Sequence, residues 1–256
     1  MVMTTYQELM SHRWSETGVI MRDGSLWTPC LDCYEGLRCE QDGNSVIASL
    51  IHNAFAPIFR SGVQLDLVND IDAVCKMVTL EIKQDYNLDN LDLKPGDVVV
   101  DIGAHKGVVS CYLAKRYPGI KVYAYEPLED NYLALVENIK RNGVDVEANH
   151  CAVTGDGREV TLHYSNGNTG GANIYGGGYE PVKHIGSVKF ADVMGRFEHI
   201  ALLKIDCEGA EYELDPNLLD HVSHLRGEFH DSYGNADALL EEVKKHVKDS
   251  LVSRQS

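Results

Sequence analysis

The stretch from Asp97 to Tyr117, DVVVDIGAHKGVVSCYLAKRY, limits the fold of this chain more than any other segment. Val98, Val99 and Val100 form a β-branched run that ends on Asp101 and follows a Pro95-Gly96 turn. Ile102-Gly103-Ala104-His105-Lys106-Gly107 is a tight loop of mostly small residues, and Val108 to Arg116 then reads as a helix. Strand, glycine turn and helix bring backbone close to a ligand at the carboxyl edge of an open parallel sheet. Gly103 and Gly107 can take positive φ or allow close approach where a Cβ would collide. On that argument Gly103→Val should block a ligand without unfolding the chain.

A second unit repeats the signal. Ile120 to Tyr125 is another short strand, and it ends on Glu126-Pro127. Glu126 lies nineteen residues after Gly107, about where a nucleotide-binding sheet places the acid that holds both ribose hydroxyls. Pro127 stops the strand, so the carboxylate is left at the sheet's edge. A dinucleotide and S-adenosylmethionine both offer a ribose diol to such an acid. The loop distinguishes them. It reads DxGxxxG, with Ala104 and His105 where a dinucleotide fingerprint has its second glycine. An acid at the strand's end, Asp101, suits a sulfonium-bearing methionine moiety better than a pyrophosphate.

Further elements follow from periodicity. Asp70 to Tyr86 carries apolar residues at helical spacing behind an Asp70 N-cap. Glu129 to Arg141 repeats the pattern through Leu133, Val136 and Ile139, and Asn142-Gly143 closes it. Arg158 to Tyr164 reads as a strand. Residues 166–178 hold six glycines in thirteen positions, which reads as a mobile loop or a lid, with Asn168, Thr169 and Asn173 as its hydrogen-bonding groups. Residues 1–65 mix turns with one apolar segment, Val46 to Phe59, and read as a cap or interaction region, separate from a domain spanning 66–256.

Chemistry should converge where the first and fourth strands lie side by side. The fourth, Ala201 to Ile205, delivers Asp206 and then Cys207-Glu208-Gly209-Ala210-Glu211. The fifth, Leu225 to Phe229, presents Glu228 and His230, two apart and hence on one face. Use of S-adenosylmethionine would mean methyl transfer, which needs alignment, a path for the acceptor's proton and an environment that tolerates a sulfonium. Asp206, Glu208, Glu228 and His230 are the candidate catalytic groups, with His230 as base because its ordinary pKa lies near the working range. Asp206, Glu228 and His230 could alternatively hold a divalent metal.

Several segments together resemble the FkbM-type S-adenosylmethionine-dependent methyltransferases. They are VVVDIGAHKG, YAYEP, CAVTGDGREVTLHY, LLKIDCEGAEYEL and GEFHD, and KIDCEGAE is the most specific. The likeness runs from about Asp66 to His230. It implies an α/β, Rossmann-like class I methyltransferase fold, an open and mostly parallel sheet with helices on both faces. It also implies O-methylation of a sugar, glycan or secondary-metabolite hydroxyl. The candidate cofactor contacts are Asp101, Gly103, Ala104, His105, Gly107, Glu126, Pro127, Asn131, Ala152 and Asp206. The wider fold ends in a β-hairpin, whereas this chain closes with a helix, Ala236 to Val247, and a short polar tail. The rival readings are a non-catalytic cofactor-binding module and an NAD-dependent oxidoreductase.

Charge and cysteine usage narrow the partners. A net charge of −16 argues against nucleic acid and against an anionic membrane surface, and favours a small-molecule or glycan acceptor. No run approaches the length of a membrane helix and no signal peptide is evident, so a cytoplasmic location is expected. Seven cysteines, an odd number, read as reduced core-filling thiols, and Cys30, Cys33 and Cys39 lack a close fourth ligand for zinc.

Overall fold

The computed structural model describes residues 86–165, 168–176 and 181–255, together with Val63 and the short strands Arg13–Ser15, Gly18–Ile20 and Leu26–Trp27. The chain divides into two units, Met1–Gln84 and Asp85–Ser256. In the first, the three short strands pair as an antiparallel sheet. The expected helix from Asp70 lies outside the described residues apart from its last position, Tyr86. So do the segment Val46 to Phe59 and the cysteines at 30, 33, 39 and 75.

The second unit is built on a six-stranded sheet. Its strands are β1 (Val98–Ile102), β2 (Lys121–Tyr125), β3 (Val146–Asn149), β9 (Ile200–Ile205), β10 (Val222–His230) and β11 (Asp249–Gln255). The order is β11-β10-β9-β1-β2-β3, and every pairing is parallel. Sequence order therefore reverses between β1 and β9, and the carboxyl edge at such a reversal is where open α/β sheets take their ligands. Between these strands run the helices α1 (Val108–Arg116), α2 (Glu129–Asn142), α3 (Phe190–Met194) and α4 (Ala236–His246). Strand alternation sends Val100, Ile102 and Tyr125 into one core with Phe190, Met194 and Val243, residues of α3 and α4. Ala124 points the other way, onto Leu135 of α2. Both faces are covered, as a parallel sheet requires, and the α/β fold with helices on both faces is as the sequence implies.

A smaller antiparallel sheet stands apart from the main one. It joins β5 (Val160–Ser165), β6 (Asn168–Asn173) and β7 (Pro181–Ile185) in the order β7-β5-β6. A two-stranded parallel pair joins β4 (Ala152–Thr154) to β8 (Ser187–Lys189). Two sequence expectations are corrected here. Part of the glycine-rich stretch, expected as a loop, forms β6, because Asn168 and Asn173 pair with Ser165 and His163 across a register shift. The polar tail is a strand as well. Its residues 249–255 add to β10 in parallel, so the sheet gains a sixth strand instead of the expected loose end.

Candidate functional site

The carboxyl edge at the reversal is lined by two loops, one after β1 and one after β9. Each contains a non-glycine residue in the left-handed region, His105 (φ 52°) and Glu208 (φ 51°). Such a conformation costs an ordinary residue on the order of 1–2 kcal/mol and tends to gather at functional sites. Gly103 (φ 76°) shows why the first loop is so tight. A Cβ there would sit 1.9 Å from the Asp206 carbonyl oxygen, so the glycine lets the two loops meet. Gly103→Val would therefore strike backbone, not ligand, and the expectation of an intact fold is overturned.

Glu126 ends β2 as expected, but it is 4% exposed. Its Oε2 accepts the His105 amide at 2.7 Å, and its Oε1 accepts the Leu128 amide at 2.8 Å and Asn131 Nδ2 at 3.4 Å. Burial raises its pKa to about 7, although those bonds and the Lys204 charge work to lower it. Asn131 is buried, and its Oδ1 has no hydrogen-bond partner among the described residues. A buried acceptor without a donor is costly unless something else supplies one. Gly107 caps α1 and brings it against Leu135, while Ala104 packs with Ala124 in the same cluster. Ala152 lies with Leu128 in a small apolar cluster, and the Pro127 carbonyl meets the His150 ring nitrogen at 3.1 Å.

Asp101 departs from its expected role. It is fully buried, its Oδ2 accepts Ser110 Oγ at 2.6 Å, and its Oδ1 faces Lys204 Nζ at 3.2 Å. Lys204 stands opposite Asp101 in the β9–β1 register and donates to the Gly103 carbonyl at 2.6 Å. It also reaches within 3.9 Å of Asp206 Oδ2. The Asp101 carboxylate is thus turned into the protein and holds the loops together, so a direct cofactor contact through it is corrected. Lys204, a lone charge in the apolar run Leu202-Leu203-Lys204-Ile205, was overlooked in the sequence although that pattern is its signal.

Across the edge, Asp206, Glu228 and His230 do come together, each offering a ligand atom within 4.8 Å of the others. Tyr86 Oη donates between Asp206 Oδ2 (3.1 Å) and Glu228 Oε1 (2.8 Å). No local sequence feature pointed to Tyr86. His230 Nδ1 lies 2.9 Å from Glu211 Oε1 and its Nε2 lies 3.4 Å from Glu208 Oε2. Burial opposes charge on the ring, but the hydrogen bonds and charges of Glu208 and Glu211 outweigh it and push the pKa up to about 10. The ring is then an imidazolium at neutral pH with no free lone pair. That corrects His230 as the base, which assumed an ordinary histidine. It also weighs against the divalent metal, since the ring already faces carboxylates through both nitrogens.

Glu211 is the hub of the KIDCEGAE turn. Its Oε2 accepts the Gly209 amide at 2.7 Å, and its Oε1 accepts the His230 amide at 2.8 Å. Tyr175 and Tyr233 pack over that turn as a tilted pair, with ring centroids 5.1 Å apart. A Cβ at Gly209 would come within 2.5 Å of the Tyr233 ring and 2.8 Å of the Tyr175 ring.

A parallel α/β sheet with a buried acid after β2 and a polar crevice at its reversal point is the class I methyltransferase arrangement. Residues 101–214 match the family described as the methyltransferase FkbM domain. Among its relatives, the AMB antimetabolite synthetase AmbE of Pseudomonas aeruginosa is 29% identical over 63% of this chain and 10% of its own length. The 31-O-demethyl-FK506 methyltransferase FkbM of Streptomyces tacrolimicus is 35% identical over 30% of this chain and 31% of its own. Methyltransferase sdnD of Sordaria araneosa is 27% identical over 52% of this chain and 65% of its own. The chain thus spans from a tenth to just under two thirds of these relatives. Among the described residues, no helix is long and apolar enough to cross a membrane.

Proposed function

We propose that this protein is an S-adenosylmethionine-dependent methyltransferase acting on a hydroxyl of a small molecule or glycan. The observation that carries the reading is the acceptor count around Glu126. A carboxylate has about four lone-pair sites, and three donors already bond this one. The remaining site and the orphaned Asn131 Oδ1 make two acceptors for the two hydroxyls of a ribose. When bound, the cofactor supplies an electrophilic methyl group on a sulfonium. The crevice at the sheet reversal, with Asp206 on one wall, holds the acceptor hydroxyl. Its proton leaves to the Asp206–Tyr86–Glu228 group as the oxygen takes the methyl. His230, charged between Glu208 and Glu211, fixes the wall of the crevice and does not itself accept that proton. The name of the Streptomyces relative, an O-demethyl compound's methyltransferase, supports oxygen as the acceptor atom.

Titration calorimetry with S-adenosylhomocysteine beside NAD tests the reading. Micromolar-range binding of the first and no measurable binding of the second is the expected result. Glu126→Ala should weaken it by about 1.5–3 kcal/mol, the worth of charge-assisted hydrogen bonds. Binding of NAD in preference would overturn the proposal.

A further inference from the structure

Thr169 lies against the two residues, His105 and Asn131, whose nitrogens bond the Glu126 carboxylate. The threonine belongs to β6, an edge strand of the small antiparallel sheet that pairs with β5 alone. Its hydroxyl lies 3.1 Å from His105 Nε2, and its carbonyl accepts Asn131 Nδ2 at 3.2 Å. His105 and Asn131 are two of the three residues that donate to the Glu126 carboxylate, one from the loop after β1 and the other from the first turn of α2. The strand therefore bridges both sides of the acid, and with it in place Glu126 is nearly sealed from solvent.

We propose that Thr169 is a latch over the nucleoside pocket, bonded to His105 and Asn131 in the free protein and released to admit a ribose to Glu126. The inference rests on the cofactor reading above. The geometry suits a latch. The strand carries two glycines, Gly170 and Gly171, directly after Thr169, and its pairing with β5 is broken by a register shift, while its far end is anchored by the buried Asn173, which accepts the Tyr175 and Gly176 amides. Asn131 Nδ2 is shared between Thr169 and Glu126, so releasing the strand frees the amide to turn toward a ligand. The small sheet β7-β5-β6 then acts as the arm that carries the latch.

Surface plasmon resonance on the full chain, with S-adenosylhomocysteine as probe, tests it. Thr169→Val keeps the shape and removes the hydroxyl bond to His105, so the association rate should rise about fivefold, the worth of one net hydrogen bond. Thr169→Ser keeps the hydroxyl and should match the wild type. In the wild type, saturating S-adenosylhomocysteine should change amide hydrogen exchange across 168–173 at least twofold. An unchanged association rate in Thr169→Val, or an effect on dissociation alone, overturns the latch, as does unchanged exchange over 168–173. A wild type that binds no S-adenosylhomocysteine would instead bring down the cofactor reading itself, and the latch with it.

Discussion

Replacing Lys204 with methionine should be among the most damaging single changes in the sheet. The ammonium is 3.2 Å from Asp101 Oδ1 and 2.6 Å from the Gly103 carbonyl, and both charged side chains are almost fully buried. Methionine fills a similar volume, so the loss is one of charge and not of packing. Asp101 would keep Ser110 as a donor but remain a buried carboxylate without its counter-ion. Removing one partner of such a pair costs about 3–5 kcal/mol, because the remaining charge stays desolvated. For a unit of this size each kcal/mol lowers the melting temperature by about 2–4 °C, so a fall on the order of 10 °C is expected. Urea unfolding followed by circular dichroism would give the free energy directly. The double variant Lys204→Met with Asp101→Asn should recover at least half of the loss, since the stranded charge is gone. A drop below about 3 °C in Lys204→Met, or no recovery in the double variant, would refute the argument that this pair secures the two loops.

Three further outcomes follow from the same edge. Glu126 has a pKa raised to about 7 in the free protein and must be ionised to accept ribose hydroxyls. S-adenosylhomocysteine affinity should therefore strengthen about tenfold between pH 6 and pH 8 and level off above, and flat calorimetric affinity across that range would contradict it. Gly103→Val should lower the melting temperature before any ligand is added, because the new side chain meets the Asp206 carbonyl; an unchanged midpoint would show that the loops can part. Proton NMR of the His230 ring should show no titration between pH 5 and 8. Because its folded pKa is raised to about 10, the stability it contributes is fully present below about pH 6.5. That stability is lost as pH rises through about 10, and a midpoint near 6.5 would falsify the imidazolium assignment.

The parts of the fold legible in the sequence were those governed by local rules. The β1–turn–α1 unit, the acid after β2 and the helix starting at Glu129 all rest on spacing within one short window, and the structure keeps them with bounds shifted by a residue or so. Glu228 and His230 reach one face because strand alternation requires it. What escaped depended on register between distant segments. Lys204 meets Asp101 only because β9 pairs with β1, and Tyr86 reaches Glu228 from far earlier in the chain. The misassigned roles of Asp101 and His230 share one cause. Residue type suggests chemistry, but burial and neighbouring charges decide whether a carboxylate meets solvent or an imidazole keeps a lone pair.

The all-parallel sheet also decides where the polypeptide leaves the molecule. Every strand points its carboxyl end toward the same edge, and β11 is no exception, with Gln255 in register beside His230. Any residues continuing past Ser256, whether natural or appended as a purification handle, would begin within one strand spacing of the acidic crevice. A C-terminal extension would serve as a deliberate plug for the acceptor side.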